Sequence, residues 1–149
     1  MLVFCFFNFR KRAKCFAGDV GSIGIAFIII FALGKLILAT QDLTYLLLLA
    51  VYGVDSVLTI VHRILLKENI FKAHRKHVYQ LMANELNLPH VLVSSIYTIL
   101  QLIIALGLIY CYINKWVYFV IVLFVLSMIY ILFMKKYYYL HTEELFEIS

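Results

Sequence analysis

Four stretches of about twenty mostly apolar residues decide what this chain can fold into. They run from about Val20 to Ala39, Leu43 to His62, Val91 to Ile113 and Trp116 to Met134. At 1.5 Å rise per residue each covers roughly 28 to 34 Å, the thickness of a bilayer's hydrocarbon core. Apolar runs of that length predict transmembrane helices. The expected fold is all-α and integral to the membrane: a single domain over residues 1–149, with four transmembrane helices, a short N-terminal helix remnant and a cytoplasmic amphipathic helix. A composition of 65% hydrophobic residues agrees with this, since soluble domains are nearer half apolar.

The polar connections set the expected topology. Thr40-Gln41-Asp42 and Asn114-Lys115 are short, so they join antiparallel neighbours, whereas residues 63–90 form one long polar loop. Of 13 lysines and arginines, Arg10, Lys11, Arg12 and Lys14 precede the first span, and Arg63, Lys67, Lys72, Arg75 and Lys76 fall in the loop. Lys135 and Lys136 follow the last span, which leaves only Lys35 and Lys115 elsewhere. The positive-inside rule then puts the N-terminal segment, the long loop and the C-terminus in the cytoplasm. It also puts Trp116 and Tyr118 at the outer interface and Tyr137-Tyr138-Tyr139 at the inner one, as aromatic belts prefer. The basic excess of 13 to 8 is explained by this topology, so no nucleic-acid partner is expected. Within the loop, Ala73 to Leu86 carries Val78, Leu81, Met82 and Leu86 at helical spacing, which predicts an amphipathic helix ending near Asn87, before Pro89. Cys5, Cys15 and Cys111 are odd in number, lack CxxC pairing and read as reduced structural thiols. At the N-terminus the apolar run Met1 to Phe9 precedes Arg10-Lys11-Arg12, the reverse of a signal peptide. It resembles the tail of a helix whose beginning is missing, and an N-terminally truncated chain is expected.

Three groups of residues could carry chemistry. Gly18-Asp19-Val20-Gly21-Ser22 sets a carboxylate between two glycines where the first span begins. Asp19 suits a helix N-cap. It also suits a magnesium ion that keeps waters and shares substrate phosphates. Gly18 and Gly21 would let a diphosphate approach the backbone. Asp55 lies inside the second span, with Thr59 and His62 on the same face; a buried structural carboxylate and a substrate-binding one are both open. His74-Arg75-Lys76-His77 is either a basic loop drawn to anionic lipid or a phosphate clamp. In the clamp reading Arg75 makes the bidentate contact and Lys76 points elsewhere. His74 and His77 could share a zinc ion, but only two ligands are evident.

Phe16-Ala17-Gly18-Asp19-Val20-Gly21-Ser22, Val54-Asp55-Ser56 and Ala73-His74-Arg75-Lys76-His77-Val78-Tyr79-Gln80 stand in the order and spacing of one family. They resemble the C-terminal half of the polyprenyl-phosphate N-acetylhexosamine-1-phosphate transferases, glycosyltransferase family 4, which includes phospho-N-acetylmuramoyl-pentapeptide transferase. The His-Arg-x-His-x-Tyr-Gln form is similar to bacterial members that begin O-antigen and other surface polysaccharides. The resemblance implies transfer of a sugar-1-phosphate from a UDP-sugar to undecaprenyl phosphate, with release of UMP, in a bacterial inner membrane. It implies Mg2+ held by Asp19, with Asp19 and His77 as catalytic residues. Arg75, His74, Gly18, Gly21 and Asp55 would contact substrate, although Asp55 matches a recurrent aspartate to which no role is assigned. Membrane lipid is an expected partner and a homodimer is compatible.

The family's paired aspartates, D-D-x-x-D/N, belong to earlier helices and do not occur in this sequence. The chain alone is therefore expected to lack part of the metal and lipid-phosphate site. Tyr79-Gln80 stand where other branches have further histidines, and Arg12 stands where many relatives have proline. The alternative reading is a small four-span protein that binds lipid or a partner without catalysis. A transporter fits less well, because the polar groups cluster at one face rather than at the midplane.

Overall fold

The computed structural model describes residues 18–70, 76–110 and 113–147, and the side chains of all of these except Asp19 and 138–147. His74, Arg75, the three cysteines and the expected N-terminal helix remnant lie outside the described residues. The described chain is helical, with no strand, and four of its helical segments are long and apolar enough to cross a membrane. They are Val20–Thr40, Leu43–Leu65, His90–Tyr110 and Lys115–Tyr137. The protein is a multi-pass membrane protein.

Residues 1–46 and 47–149 form two compact units. The first contains helix α1 (Gly18–Thr40). Gly18 opens it at φ 64°, a conformation that suits glycine. Its last turn is closed by side chains, with Thr40 Oγ1 donating to Leu36 O (2.8 Å) and Gln41 Nε2 to Leu38 O (2.7 Å). Asp42 then caps the next element, its Oδ1 accepting from the Thr44 amide (2.9 Å) and hydroxyl (2.6 Å).

The second span starts as a 3₁₀ segment, Leu43–Leu49, and continues as α2 (Ala50–Leu65). A seven-residue 3₁₀ stretch is long for its type. The change of hydrogen-bond register strands a carbonyl and an amide within the apolar layer, where each must find a partner. Gln101 satisfies both: its Nε2 donates to Leu47 O (2.8 Å) and its Oε1 accepts from Val51 N (3.2 Å).

In the second unit α2 is amphipathic in the sense that suits lipid. Val51, Asp55, Thr59 and Arg63 recur every four residues and are buried, while Val57, Ile60, Val61, Ile64 and Leu65 are exposed. It packs against α4 (His90–Tyr110) and α5 (Lys115–Glu147). The latter's buried stripe, Val122, Leu126, Tyr130 and Met134, also repeats every four residues, so the facing ridges share one spacing. Asn114 caps α5, its Oδ1 accepting from Trp116 N at 2.9 Å.

One expectation needs adjustment. The loop helix, α3, is Val78–Asn84 rather than a helix from Ala73 to about Asn87. It starts where Gln80 Oε1 accepts from His77 N (3.3 Å). It ends where Glu85 and Leu86 donate to Leu81 O, ahead of Asn87 at φ 52°. Leu81 is fully buried against Tyr130 and Met134, with Val78 beside it. The Tyr118 hydroxyl donates to Ile104 O (3.0 Å), joining α5 to α4. There the ring lies over Gly107, where an added Cβ would stand 2.1 Å from the Tyr118 hydroxyl oxygen and 2.7 Å from Cζ. Gly107→Ala should therefore expel the tyrosine ring, breaking its hydrogen bond and the α4–α5 contact. A loss of about 1–3 kcal/mol is expected, the usual range for overpacking. Thermal unfolding in detergent, compared with Gly107→Ala/Tyr118→Ala, checks this: the second change should relieve the clash.

Candidate functional site

The polar residues of the second unit gather where α2, α3 and α4 meet. Asp55 is 5% exposed inside the second span, and a carboxylate at such a position needs partners. Its Oδ1 accepts from the Val78 amide (3.0 Å) and from Thr59 Oγ1 (3.3 Å), and its Oδ2 accepts from the Tyr97 hydroxyl (3.0 Å). Nδ1 of His77 lies 3.7 Å from Oδ1, close enough for an ion pair when the ring is protonated. Thr59 also meets the Tyr130 hydroxyl at 3.1 Å, which links α2 to α5 beneath the carboxylate.

Aromatic rings surround this centre. His77 stacks on Tyr79 with centroids 5.6 Å apart. Tyr79 and Tyr97 meet edge-on at 6.3 Å, and Tyr52 meets Tyr97 edge-on at 5.6 Å. Such offset and T-shaped pairs suit the ring quadrupole. Burial pushes the Tyr79 hydroxyl's pKa up, and the neighbouring Tyr52 and the Asp55 carboxylate add to that.

About two turns beyond Asp55 on α2, Arg63 is 3% exposed and shapes the start of the loop. Its guanidinium donates to Glu68 Oε2 (3.2 Å), Ile70 O (3.3 Å) and Asn69 O. The backbone turns there with Lys67 at φ 57°, while Glu68 N donates to Arg63 O and Lys67 N to Ile64 O, the pattern of a Schellman close. In the clamp reading Lys76 points elsewhere than the phosphates, and it does have a different partner. Its ammonium bonds Glu68 Oε1, so Glu68 ties residue 76 back to Arg63. Hydrogen bonding from Lys76, then from Arg63, holds the Glu68 carboxyl below the usual glutamate range.

A depressed folded-state pKa contributes stability that is complete above the ordinary glutamate range and is lost as pH falls through the lowered value. Glu68→Gln should therefore lower the melting temperature at neutral pH by the equivalent of about 1 kcal/mol or less. The gap from wild type should close as the medium is made more acidic than that range. Melting curves of the two proteins across pH 3 to 7 read this directly.

The structure thus brings His77 to Asp55, while His74 and Arg75 precede the described part of this cluster. Gly18 and Gly21 lie in the first turn of α1 with Asp19. Among the described residues no three His, Cys, Asp or Glu side chains gather to hold a metal ion. Asp55 is engaged by its hydrogen-bond donors, and a zinc site at His77 gains no further ligand there. The magnesium expectation falls on Asp19, whose side chain lies outside the described ones.

Sequence reasoning missed the roles of Arg63, Gln101, Tyr97 and Tyr130. The four-residue spacing of Asp55, Thr59 and Arg63 signals that Arg63 belongs to the buried face. Gln101, a lone amide within an apolar span, carries its own signal, since such groups face the protein interior. Nothing local marks the tyrosines. Comparison with models of known protein families, with curated proteins and with solved structures finds no match to this chain.

Proposed function

We propose that this chain is the nucleotide-sugar-binding part of a membrane phosphosugar transferase, in which Asp19 holds Mg2+ and Arg75 and His77 engage a UDP-N-acetylhexosamine. In the proposed reaction a phosphate oxygen of undecaprenyl phosphate forms a bond to the β-phosphorus of the UDP-sugar. The bond from that phosphorus to the bridging oxygen breaks, and UMP leaves. A bound magnesium ion would offset charge on the diphosphate.

The observation that carries the reading is the constellation Gly18-Asp19-x-Gly21-Ser22, Asp55 and His74-Arg75-x-His77 in one chain, together with the direct packing of His77 and Val78 against Asp55. The first motif stands at the start of the first span, and the second stands in the polar loop between the second and third. Arg75 would grip two phosphate oxygens at once. His77, oriented by Asp55 and by its stack on Tyr79, would hold or move a proton at the reacting phosphates. The reading includes a companion segment that supplies paired aspartates, which this sequence lacks. It also has the long loop and both chain ends facing the cytoplasm of a bacterial inner membrane.

A photoactivatable UDP-N-acetylhexosamine tests the binding half of this reading. Label should enter a peptide within residues 63–90, and excess UDP-sugar should compete it away. Uncompeted labelling spread over the apolar spans would favour a four-span lipid- or partner-binding protein without catalysis.

A further inference from the structure

Asp55 has a role that its residue type alone does not disclose. Helix α3 has seven residues, too few to be stable alone in water. The Val78 amide stands in its first turn, where no intrahelical acceptor exists. The acceptor comes from another helix: Asp55 Oδ1, 3.0 Å away. That carboxylate is itself held by Tyr97 of α4 through Oδ2 and by Thr59 of α2 through Oδ1. The second attachment of α3 is Leu81, fully buried on Tyr130 and Met134. One end of the short helix is thus fixed by charge-assisted hydrogen bonding and its middle by apolar packing. His77 immediately precedes Val78, and its Nδ1 faces the same oxygen.

We infer that Asp55 is a positioning residue: its carboxylate docks the start of α3 on the transmembrane helices and so fixes the backbone and ring orientation of His77. The docking role stands on geometry alone. Its consequence for catalysis rests on the transferase reading above. Tyr97 and Thr59 serve the same function at one remove, by orienting the two oxygens. Asparagine at position 55 keeps an oxygen for the Val78 amide but loses the charge that faces His77. Alanine leaves both the Val78 amide and the Tyr97 hydroxyl without this acceptor.

Hydrogen–deuterium exchange of the full chain in lipid nanodiscs tests the inference on wild type, Asp55→Asn, Asp55→Ala and Tyr97→Phe. Exchange in a peptide covering residues 77–82 should rise on the order of tenfold in Asp55→Ala and less in Asp55→Asn and Tyr97→Phe. Peptides from the Lys115–Tyr137 span should not change. In the transfer reaction the KM for UDP-sugar should rise more than kcat falls, with Asp55→Asn retaining more activity than Asp55→Ala. Unchanged exchange at residues 77–82 in Asp55→Ala would overturn the inference, and loss of activity alongside it would mean that Asp55 contacts substrate instead. Equal loosening of the α5 peptides in all three variants would also overturn it, because Asp55 would then hold the whole bundle rather than α3. Absence of transfer by the wild-type protein supplied with its companion segment would defeat the transferase reading, while the exchange data still decide the docking role.

Discussion

Replacing Asp19 by asparagine should abolish sugar-phosphate transfer while leaving membrane insertion intact. Asparagine has the size and shape of aspartate, and position 19 lies inside the first turn of α1, so the helix should form in the variant. What asparagine cannot bring is a formal charge to a hard cation that prefers carboxylate oxygen. Charge stabilisation by a bound metal ion is worth several kcal/mol in phosphoryl chemistry, so the rate should fall on the order of a thousand-fold. Raising the magnesium concentration should recover only part of it. The check is transfer at saturating UDP-sugar across a magnesium series, beside a quantified membrane fraction for each variant. Wild-type activity in Asp19→Asn would remove Asp19 from any metal site.

The second large effect is expected at Arg75. A guanidinium presents two parallel donors to a diphosphate, whereas a lysine ammonium acts as a point charge. Arg75→Ala should cost about 2–4 kcal/mol of transition-state stabilisation, by analogy with loss of a donor at a developing oxyanion. Arg75→Lys should lose less and chiefly raise KM for the UDP-sugar. Lys76→Ala is the informative neighbour, because the Lys76 ammonium is bonded to Glu68 rather than offered to a ligand. Its loss should show as a lower melting temperature with a modest change in rate. The three variants should be compared at fixed ionic strength and then at raised salt. Equal, small and salt-sensitive losses would make the cluster a basic patch at a lipid surface.

The membrane architecture is plain in the sequence because it rests on a simple rule, an uninterrupted apolar run as long as a bilayer is thick. The first span is expected from Val20 to Ala39 and found at Val20–Thr40; the fourth is expected from Trp116 and found from Lys115. Helix α5 runs past the expected stop at Met134 to Glu147, because Lys135, Lys136 and the residues beyond carry no helix breaker. The short loop helix was legible as an element but not in its limits. Its start depends on Asp55, 23 residues earlier, and its anchor on Tyr130, nearly 50 residues later. Pattern within a window of ten residues cannot see either partner.

The candidate site divides along the same line. Asp55 stands out because a charge inside an apolar span demands an explanation, and its i+4 partner Thr59 follows from helix geometry. Tyr97 and Tyr130 are two among 11 tyrosines in a chain where aromatic residues are common. They acquire meaning only when α4 and α5 bring them to Asp55 and Thr59. In the sequence Arg63 is one more basic residue beside an apolar span. Its burial shows that the same residue also builds the loop, since Glu68, Asn69 and Ile70 are arranged around its guanidinium. The 3₁₀ start of the second span was not foreseeable from its leucines, and the Gln101 contacts that compensate it are long-range for the same reason.

The reaction itself tests the central claim most directly. The chain, supplied with a companion segment carrying paired aspartates, is incubated in membranes with undecaprenyl phosphate, magnesium and a UDP-N-acetylhexosamine labelled in the sugar. Stoichiometric release of UMP and appearance of the label in a lipid-linked sugar diphosphate are expected, both lost on chelation of magnesium and both lost in Asp19→Asn. Lipid-linked label that forms equally well without magnesium or in Asp19→Asn would contradict the central claim, as would the absence of UMP release from a correctly inserted protein.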